Sequence, residues 1–274
     1  MIKEVLEKTD ALEEKIQALL AEEEKTEEIK VLQEEKKKLL DSCKDLEPGD
    51  RVFLARHPRR PHVEDFFSTL FTDFFEQKGD HLYDEDRSIY GGIARFHGRP
   101  VTVLGHRKGR TVEENLSCNF GMTCPEGYRK AKRLMEQAEK FDRPIITFVD
   151  TPGAYPGLEA EQHGQGEAIA KNLAFMSSLH VPVIAVVTGE GSSGGALGIC
   201  VANKILMLEN AIYSVLSPEG FATILWKDSS RAAEAAKVMK LTAKDLKEAN
   251  VADEVVPESL GGAQDDPESL YKAL

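Results

Sequence analysis

Thr188 to Leu197 reads TGEGSSGGAL, after the apolar run Val181 to Val187 and before a stretch of small residues. Glycines at a strand-to-helix turn let the backbone approach a ligand closely, and the first N–H groups of a helix have no partner inside it. Such a turn offers hydrogen-bond donors and a positive dipole end to negative charge. Three charges fit it: a dinucleotide pyrophosphate, the tetrahedral oxyanion of a serine hydrolase, or an enolate oxyanion in acyl-CoA or biotin chemistry. A second turn of the same kind, DTPGAYPG from Asp150 to Gly157, follows the apolar run PIITFVD.

Gly189, Gly191 and Gly194 satisfy G-x-G-x-x-G, and Glu209 lies about 20 residues on, so the dinucleotide fingerprint is formally met. The helix that follows must fit between Gly194 and Asn203, which is short for a Rossmann crossover, and the motif comes late in the chain. No G-x-x-x-x-G-K-[ST] occurs. The hydrolase reading makes Ser192 or Ser193 the nucleophile and needs a base, for which His163, His180 and Lys171 are the candidates. In the third reading the Gly194 and Gly195 amides are themselves the device, stabilising an oxyanion without a side-chain nucleophile.

These turns need a scaffold, and the chain supplies alternating strand and helix signals. The run Ile89 to His106 is expected to form two strands joined by the turn HGRP, with Gly91 and Gly92 at a bulge or close approach. Further strands are expected at Pro144 to Asp150, at VPVIAVVT and at KILMLE, with AIYSVLSPEG following. Helices are expected at Asp65 to Lys78, with Phe66, Phe67, Leu70, Phe71, Phe74 and Phe75 as a core face, at Tyr128 to Phe141 and at Gly166 to Ser178. Strands followed by Gly/Pro turns and helices imply an α/β fold with parallel strands, and ligands at the carboxyl ends of those strands.

Ahead of this lies a different texture. Ile2, Val5, Thr9, Leu12, Ile16 and Leu19 form one amphipathic stripe and Ile29, Leu32 and Leu39 a second, with AEEEKTEE between them. Two helices in an antiparallel hairpin are expected over residues 1–47, with LEPGD marking the boundary to a main domain over 48–274. The net charge of -12 argues against a general nucleic-acid partner. No run reaches the roughly 18 apolar residues of a membrane span, and there is no apolar leader. Cys43, Cys118, Cys124 and Cys200 form no C-x-x-C pair, so neither a zinc ribbon nor a disulfide framework is indicated. A cytoplasmic location is expected.

Through DTPGAYPG, GEGSSGGAL, RHPRRP (Arg56 to Pro61), YGGIARFHGRPV, GHRKGR, NFGMTCPEGYRKAKRLM, SVLSPEGFATILWK and LGGAQDDPE the chain resembles the alpha subunit of the carboxyltransferase of multisubunit acetyl-CoA carboxylase. The resemblance runs in order from about Asp50 to Glu268. It implies a crotonase/ClpP-like spiral of ββα units and transfer of a carboxyl group from carboxybiotin to acetyl-CoA, giving malonyl-CoA for fatty acid synthesis. It implies a site shared with a beta subunit that carries a zinc ribbon, in an alpha2beta2 assembly. Biotin would ride on a carrier protein, and ATP would be used only by a partner biotin carboxylase. The family's Gly-Gly pair falls on Gly194 and Gly195, whose amides would hold the ureido oxygen of biotin. Gly153, Ala154, Tyr155 and Ser193 would line the same pocket. One departure stands out: the family usually has glycine where this chain has Ser192. The basic segments Arg56 to Arg60, Arg107 to Arg110 and Arg129 to Arg133 would either attract CoA phosphates or an acidic partner, or be solvated charges.

Overall fold

The computed structural model describes residues 2–21 and 26–274. Helix α1 (Ile2–Ala21) and helix α2 (Thr26–Asp41) form the N-terminal pair, and part of the predicted break, residues 22–25, lies outside the described residues. Glu13 of α1 meets Lys36 of α2 at 3.1 Å, which fixes an antiparallel hairpin. The buried stripe is Ile2, Leu6, Thr9, Leu12 and Ile16, so Leu6 takes the place expected for Val5, and Leu40 that expected for Leu39. The shift follows from what the stripe packs on. Ile2, Leu6, Leu40 and Cys43 close over Leu54 of α3 (Pro48–Ala55), and the Ile2 N–H donates to Asp50 at 3.1 Å. Lys36 also reaches Asp265 at 3.0 Å.

Among the described residues eight strands form one mixed sheet: β1 (Thr72–Glu76), β2 (Ile89–Phe96), β3 (Arg99–His106), β4 (Ile145–Thr151), β5 (Val183–Ser192), β6 (Lys204–Leu208), β7 (Ile212–Ser214) and β8 (Glu254–Val256). Their order is β1-β2-β3-β4-β5-β6-β8, with β7 beside β5. The β1-β2-β3 ladders are antiparallel and every later one is parallel. The β2–β3 turn is the predicted one, with His97 and Gly98 at φ 46° and 79°, both left-handed as a two-residue hairpin requires. Gly91 and Gly92 serve close approach, not a β2–β3 bulge: a Cβ on Gly92 would lie 2.0 Å from the Phe75 carbonyl oxygen of β1.

The expected helix over Asp65 to Lys78 is shorter. Helix α4 is Val63–Leu70, and Thr72–Glu76 is the edge strand β1. Phe66, Phe67 and Phe71 are buried, with Phe66 stacked on the Phe148 ring of β4 at 5.3 Å and Phe67 edge-on to it at 5.6 Å, whereas Phe75 is 67% exposed and not core. The helical period of the phenylalanines gives way where backbone pairing with β2 offers more hydrogen bonds than another turn.

The remaining helices are α5 (Val112–Ser117), α6 (Pro125–Lys140), α7 (Leu158–Gln162), α8 (Gln165–Met176), α9 (Ser193–Leu197), α10 (Pro218–Trp226), α11 (Ala232–Met239), α12 (Ala243–Glu248) and α13 (Pro267–Ala273). Helix α6 starts with Pro125 at its first position, where no N–H is needed, and buries Tyr128, Ala131, Leu134, Met135 and Ala138. The three central parallel strands end at His106, Thr151 and Ser192, and both glycine turns leave the sheet there.

Candidate active site

Strand β5 divides its partners. Ile184 to Val187 pair with β6, and Glu190 to Ser192 pair with β7, so the end of β5 runs beyond β6 and four residues of GEGSSGG are strand. Ser192 is buried and extended, at φ -113° and ψ 131°, so no left-handed backbone is asked of it. That demand falls one residue later. Ser193 sits at φ 55°, a conformation costing an L-residue on the order of 1–2 kcal/mol, and turns the chain into α9.

Helix α9 is five residues long, and isolated helices of that length do not hold. Buried side chains hold it instead. The Tyr128 hydroxyl donates to the Gly195 carbonyl at 3.1 Å. The Asn172 amide donates to the Gly198 carbonyl at 2.9 Å and to the Tyr128 carbonyl at 3.0 Å. Burial pushes the Tyr128 phenol far above its ordinary range, so it remains a donor at every physiological pH.

Among the described residues, neither the Gly194 nor the Gly195 N–H donates to any group of the chain. Gly195 is buried, and a buried N–H without an acceptor costs about 1–3 kcal/mol. The two glycines differ sterically. A Cβ on Gly195 would lie 2.4 Å from the Gly153 carbonyl carbon and 2.5 Å from the Ala154 nitrogen, so the two turns touch here. A Cβ on Gly194 would meet nothing nearer than Ile169 at 3.6 Å, so packing within the chain does not require glycine there.

The second turn is clamped as firmly. Gly153 has φ 148°, accepts from the Thr151 hydroxyl at 2.9 Å and donates to it at 3.1 Å. The Tyr155 N–H donates to the Thr123 carbonyl at 3.0 Å, and Gln165 spans the Thr123 and Tyr155 carbonyls at 2.8 and 2.9 Å. Ser193 and Gly194 line a cavity of about 280 Å³ with Leu197, Tyr213, Val215, Leu246 and Val251. Tyr155 lines another, of about 270 Å³, with Tyr83, Glu126 and His163. The structure therefore brings Gly195, Gly153 and Ala154 together and puts the Tyr155 side chain in a separate cavity.

Behind the turns lies an ionic frame. The Asp150 carboxylate accepts from Lys108 at 2.6 Å and from the Glu190 N–H at 2.9 Å. Burial pushes its carboxyl up, but Lys108 and these hydrogen bonds outweigh that and hold it below the usual range. Arg56 joins Glu190 at 2.6 Å to Glu219 at 2.8 Å, and Arg60 pairs with Glu258 at 2.5 Å while donating to the Thr188 carbonyl. His106 is buried beside them with no hydrogen-bond partner at either ring nitrogen, and burial pushes it down to about 4. The Gly195 backbone faces that ring and opposes the shift, outside hydrogen-bonding geometry.

Two glycine turns meeting at the carboxyl ends of parallel strands, with unpaired amides at the contact, are the geometry to compare with known proteins. The acetyl co-enzyme A carboxylase carboxyltransferase-like family matches residues 2–274. The chain belongs to this family. The acetyl-coenzyme A carboxylase carboxyl transferase subunit alpha of Bacillus subtilis (strain 168) is 58% identical over 240 residues, covering 87% of this chain and 74% of that protein. The same-named protein of Anoxybacillus flavithermus is 61% identical over 218 residues, covering 80% and 67%. Among solved structures, transcarboxylase 12S has a TM-score of 0.63 at 21% identity, over 78% of this chain and 41% of that one. The beta subunit of Pseudomonas aeruginosa geranyl-CoA carboxylase has a TM-score of 0.58 at 16% identity, over 79% and 42%. At these identities the structures bear on the fold, which is that of carboxyltransferases.

For a chain of this carboxyltransferase family the competing readings of the glycine turn fall away on geometry. Three of the six positions in G-x-G-x-x-G are interior to β5, and Glu209 is engaged by the Glu258 N–H at 3.1 Å and by Arg51. The hydrolase reading lacks its base. His163 bonds Glu126 at 2.9 Å, His180 bonds Glu139 at 2.8 Å and Lys171 pairs with Glu167 at 2.6 Å, none with Ser192 or Ser193. Several side chains of the basic segments are engaged in ion pairs within the chain. Arg110 pairs with Asp65 at 2.6 Å, Arg129 with Asp80 and Glu126 at 2.8 Å, and the buried Lys130 with Glu85 at 2.5 Å. Sequence reasoning passed over Tyr128, Asn172, Thr151 and Gln165 because their role is a bond to a distant carbonyl, which leaves no spacing. Asp150 stood in plain view at the strand end before the Pro-Gly turn.

Proposed function

We propose that this chain is the alpha component of a carboxyltransferase that moves a carboxyl group from carboxybiotin to acetyl-CoA, forming malonyl-CoA for fatty acid synthesis. The observation that carries the reading is the pair of unpaired N–H groups at Gly194 and Gly195, in the first turn of a helix too short to stand alone. Carboxybiotin, borne by a separate carrier protein, supplies the carboxyl group. The residues fit such a group: the cavity lined by Gly194 has apolar walls for a ring system, and the unpaired Gly194 N–H belongs to that lining, with Gly195 next in the chain. The two amides are preset by Tyr128 and Asn172, so no reorganisation is needed as charge grows on the ureido oxygen. Donors of this kind each contribute about 100- to 1000-fold in rate. Gly153 and Ala154 back Gly195 and fix where its N–H stands. Leu197, Val215 and Val251 are 41%, 77% and 43% exposed at the cavity rim, which suits a site completed by a second subunit.

That second subunit is a beta chain with a zinc ribbon, which would hold the acetyl-CoA enolate, in an alpha2beta2 assembly in the cytoplasm. A biotin carboxylase partner uses the ATP. Among the described residues no helix is long and apolar enough to cross a membrane. The N-terminal hairpin over 1–47 is an appendage on the 48–274 domain. The test is reconstitution: malonyl-CoA decarboxylation with free biotin, measured for the chain alone and with the beta subunit. Near-zero activity alone and turnover on mixing are expected. Turnover by the beta subunit alone at the same rate would refute the reading.

A further inference from the structure

The cavity beside Gly194 has one aromatic side chain in its lining, Tyr213, and that ring is fixed from several sides. Its backbone lies in β7, paired with Gly191 of β5, and its N–H donates to the Leu241 carbonyl at 3.0 Å. Its ring lies against Gly191: a Cβ there would come within 2.8 Å of Tyr213 Cδ2. Glycine at 191 is thus the space in which the ring sits. The hydroxyl end lies beside the buried thiol of Cys200. The other apolar walls are different in kind. Leu197 belongs to the five-residue α9, and Val215 and Val251 form the exposed rim.

A rigid aromatic plate is therefore set in the same cavity as an amide whose glycine the chain's own packing does not require. We infer that Tyr213 is a specificity-determining residue that seats the ring system of the biotin group beside the Gly194 amide. The inference rests on the carboxyltransferase reading. Tyr213 contributes ring contact to binding and makes no bond or proton transfer. Its effect belongs in affinity and in discrimination between ring systems, whereas the amides' effect belongs in turnover. The ring, not the hydroxyl, is the functional part, because the hydroxyl is engaged with Cys200.

The experiment uses the chain assembled with its beta subunit and two probes, free biotin and desthiobiotin, which lacks the sulfur-bridged second ring. Saturation-transfer NMR reads the dissociation constants, and malonyl-CoA decarboxylation reads kcat and KM for biotin. Tyr213→Ala is expected to raise the Kd and KM for biotin about tenfold, a change of ~1.4 kcal/mol, with kcat within about threefold. It should also abolish the preference for biotin over desthiobiotin, while Tyr213→Phe keeps wild-type values within about threefold. Val251→Trp, which adds bulk at another residue of the same lining, should raise Kd likewise and keeps the cavity's assignment to biotin testable if the alanine variant does not fold. Unchanged biotin Kd, within about twofold, in a folded Tyr213→Ala or in Val251→Trp would overturn the inference. Absence of any biotin-dependent turnover in the unsubstituted complex would overturn the carboxyltransferase reading, and this inference with it.

Discussion

Gly195→Ala is the smallest change that separates the two glycine turns. The added Cβ would stand 2.4 Å from the Gly153 carbonyl carbon and 2.8 Å from its Cα, both backbone atoms that cannot swing aside. Ordinary carbon contacts begin near ~3.5 Å, so the turns must part by about 1 Å. A misplacement of about 1 Å at a reacting centre costs on the order of 100-fold, and loss of one aligned oxyanion donor about 100- to 1000-fold. The kcat for biotin-dependent malonyl-CoA decarboxylation should therefore fall about 100- to 1000-fold in the reconstituted complex, with KM for malonyl-CoA within about threefold. Overpacking should cost about 1–3 kcal/mol of stability, a melting temperature lower by roughly 3–10 °C, so the variant is folded at 25 °C. Gly194→Ala is the control for packing, since its Cβ meets nothing within 3.6 Å; its stability should change by less than about 1 kcal/mol. Gly195→Ala retaining more than a third of wild-type kcat, while showing the lowered melting temperature, would refute the reasoning.

Three further outcomes follow from the same contacts. Tyr128→Phe removes the hydroxyl that donates to the Gly195 carbonyl at 3.1 Å and should cost about 1–3 kcal/mol in urea unfolding; an unchanged midpoint would contradict the clamp. Arg60→Met leaves the buried Glu258 without its cation and should cost about 3–5 kcal/mol, with part recovered in the double variant with Glu258→Leu; additive losses would argue against a pair. His106 titrates at about 4 when folded against 6.5 ordinarily, so the unfolded chain binds more protons between those values and stability falls as pH drops through them. From pH 6.5 to pH 5 this amounts to about 1.6 kcal/mol, the slope approaching ~1.36 kcal/mol per unit as the unfolded histidine becomes fully protonated. His106→Phe should flatten that part of the slope, leaving the share due to Asp150 and Glu258, whose lowered carboxyls also favour the folded state above the carboxylate range. Identical slopes in both proteins would rule the assignment out.

What the sequence disclosed, and what it hid, divides along physical lines. The central strands, the HGRP hairpin and helix α6 were legible because each carries its own period and its own Gly or Pro stop. The tail of the phenylalanine helix was not, because Phe71, Phe74 and Phe75 suit both periods, and the choice was made by backbone pairing with β2, which no local pattern records. The stripe of α1 slipped from Val5 to Leu6 for a similar reason: its partner, Leu54, lies 48 residues away and sets the rotation. Charges were the least legible. Arg60 and Glu258 lie 198 residues apart, and nothing in an acidic composition announces that basic clusters will be spent on internal pairs. Gly194 and Gly195 could be singled out, and the family resemblance put Gly153 beside them, but the direct Gly153–Gly195 contact and the tyrosine that holds Gly195 came only from the fold.

The central claim is that a backbone N–H, not a side chain, does the chemistry, and it can be tested by deleting that hydrogen-bond donor alone. Replacing Gly195 by glycolic acid converts its amide to an ester, adds no Cβ and leaves the contact with Gly153 in place. In the complex with the beta subunit, biotin-dependent malonyl-CoA decarboxylation should fall about 100- to 1000-fold in kcat with little change in melting temperature. A kcat within about twofold of wild type would contradict the claim.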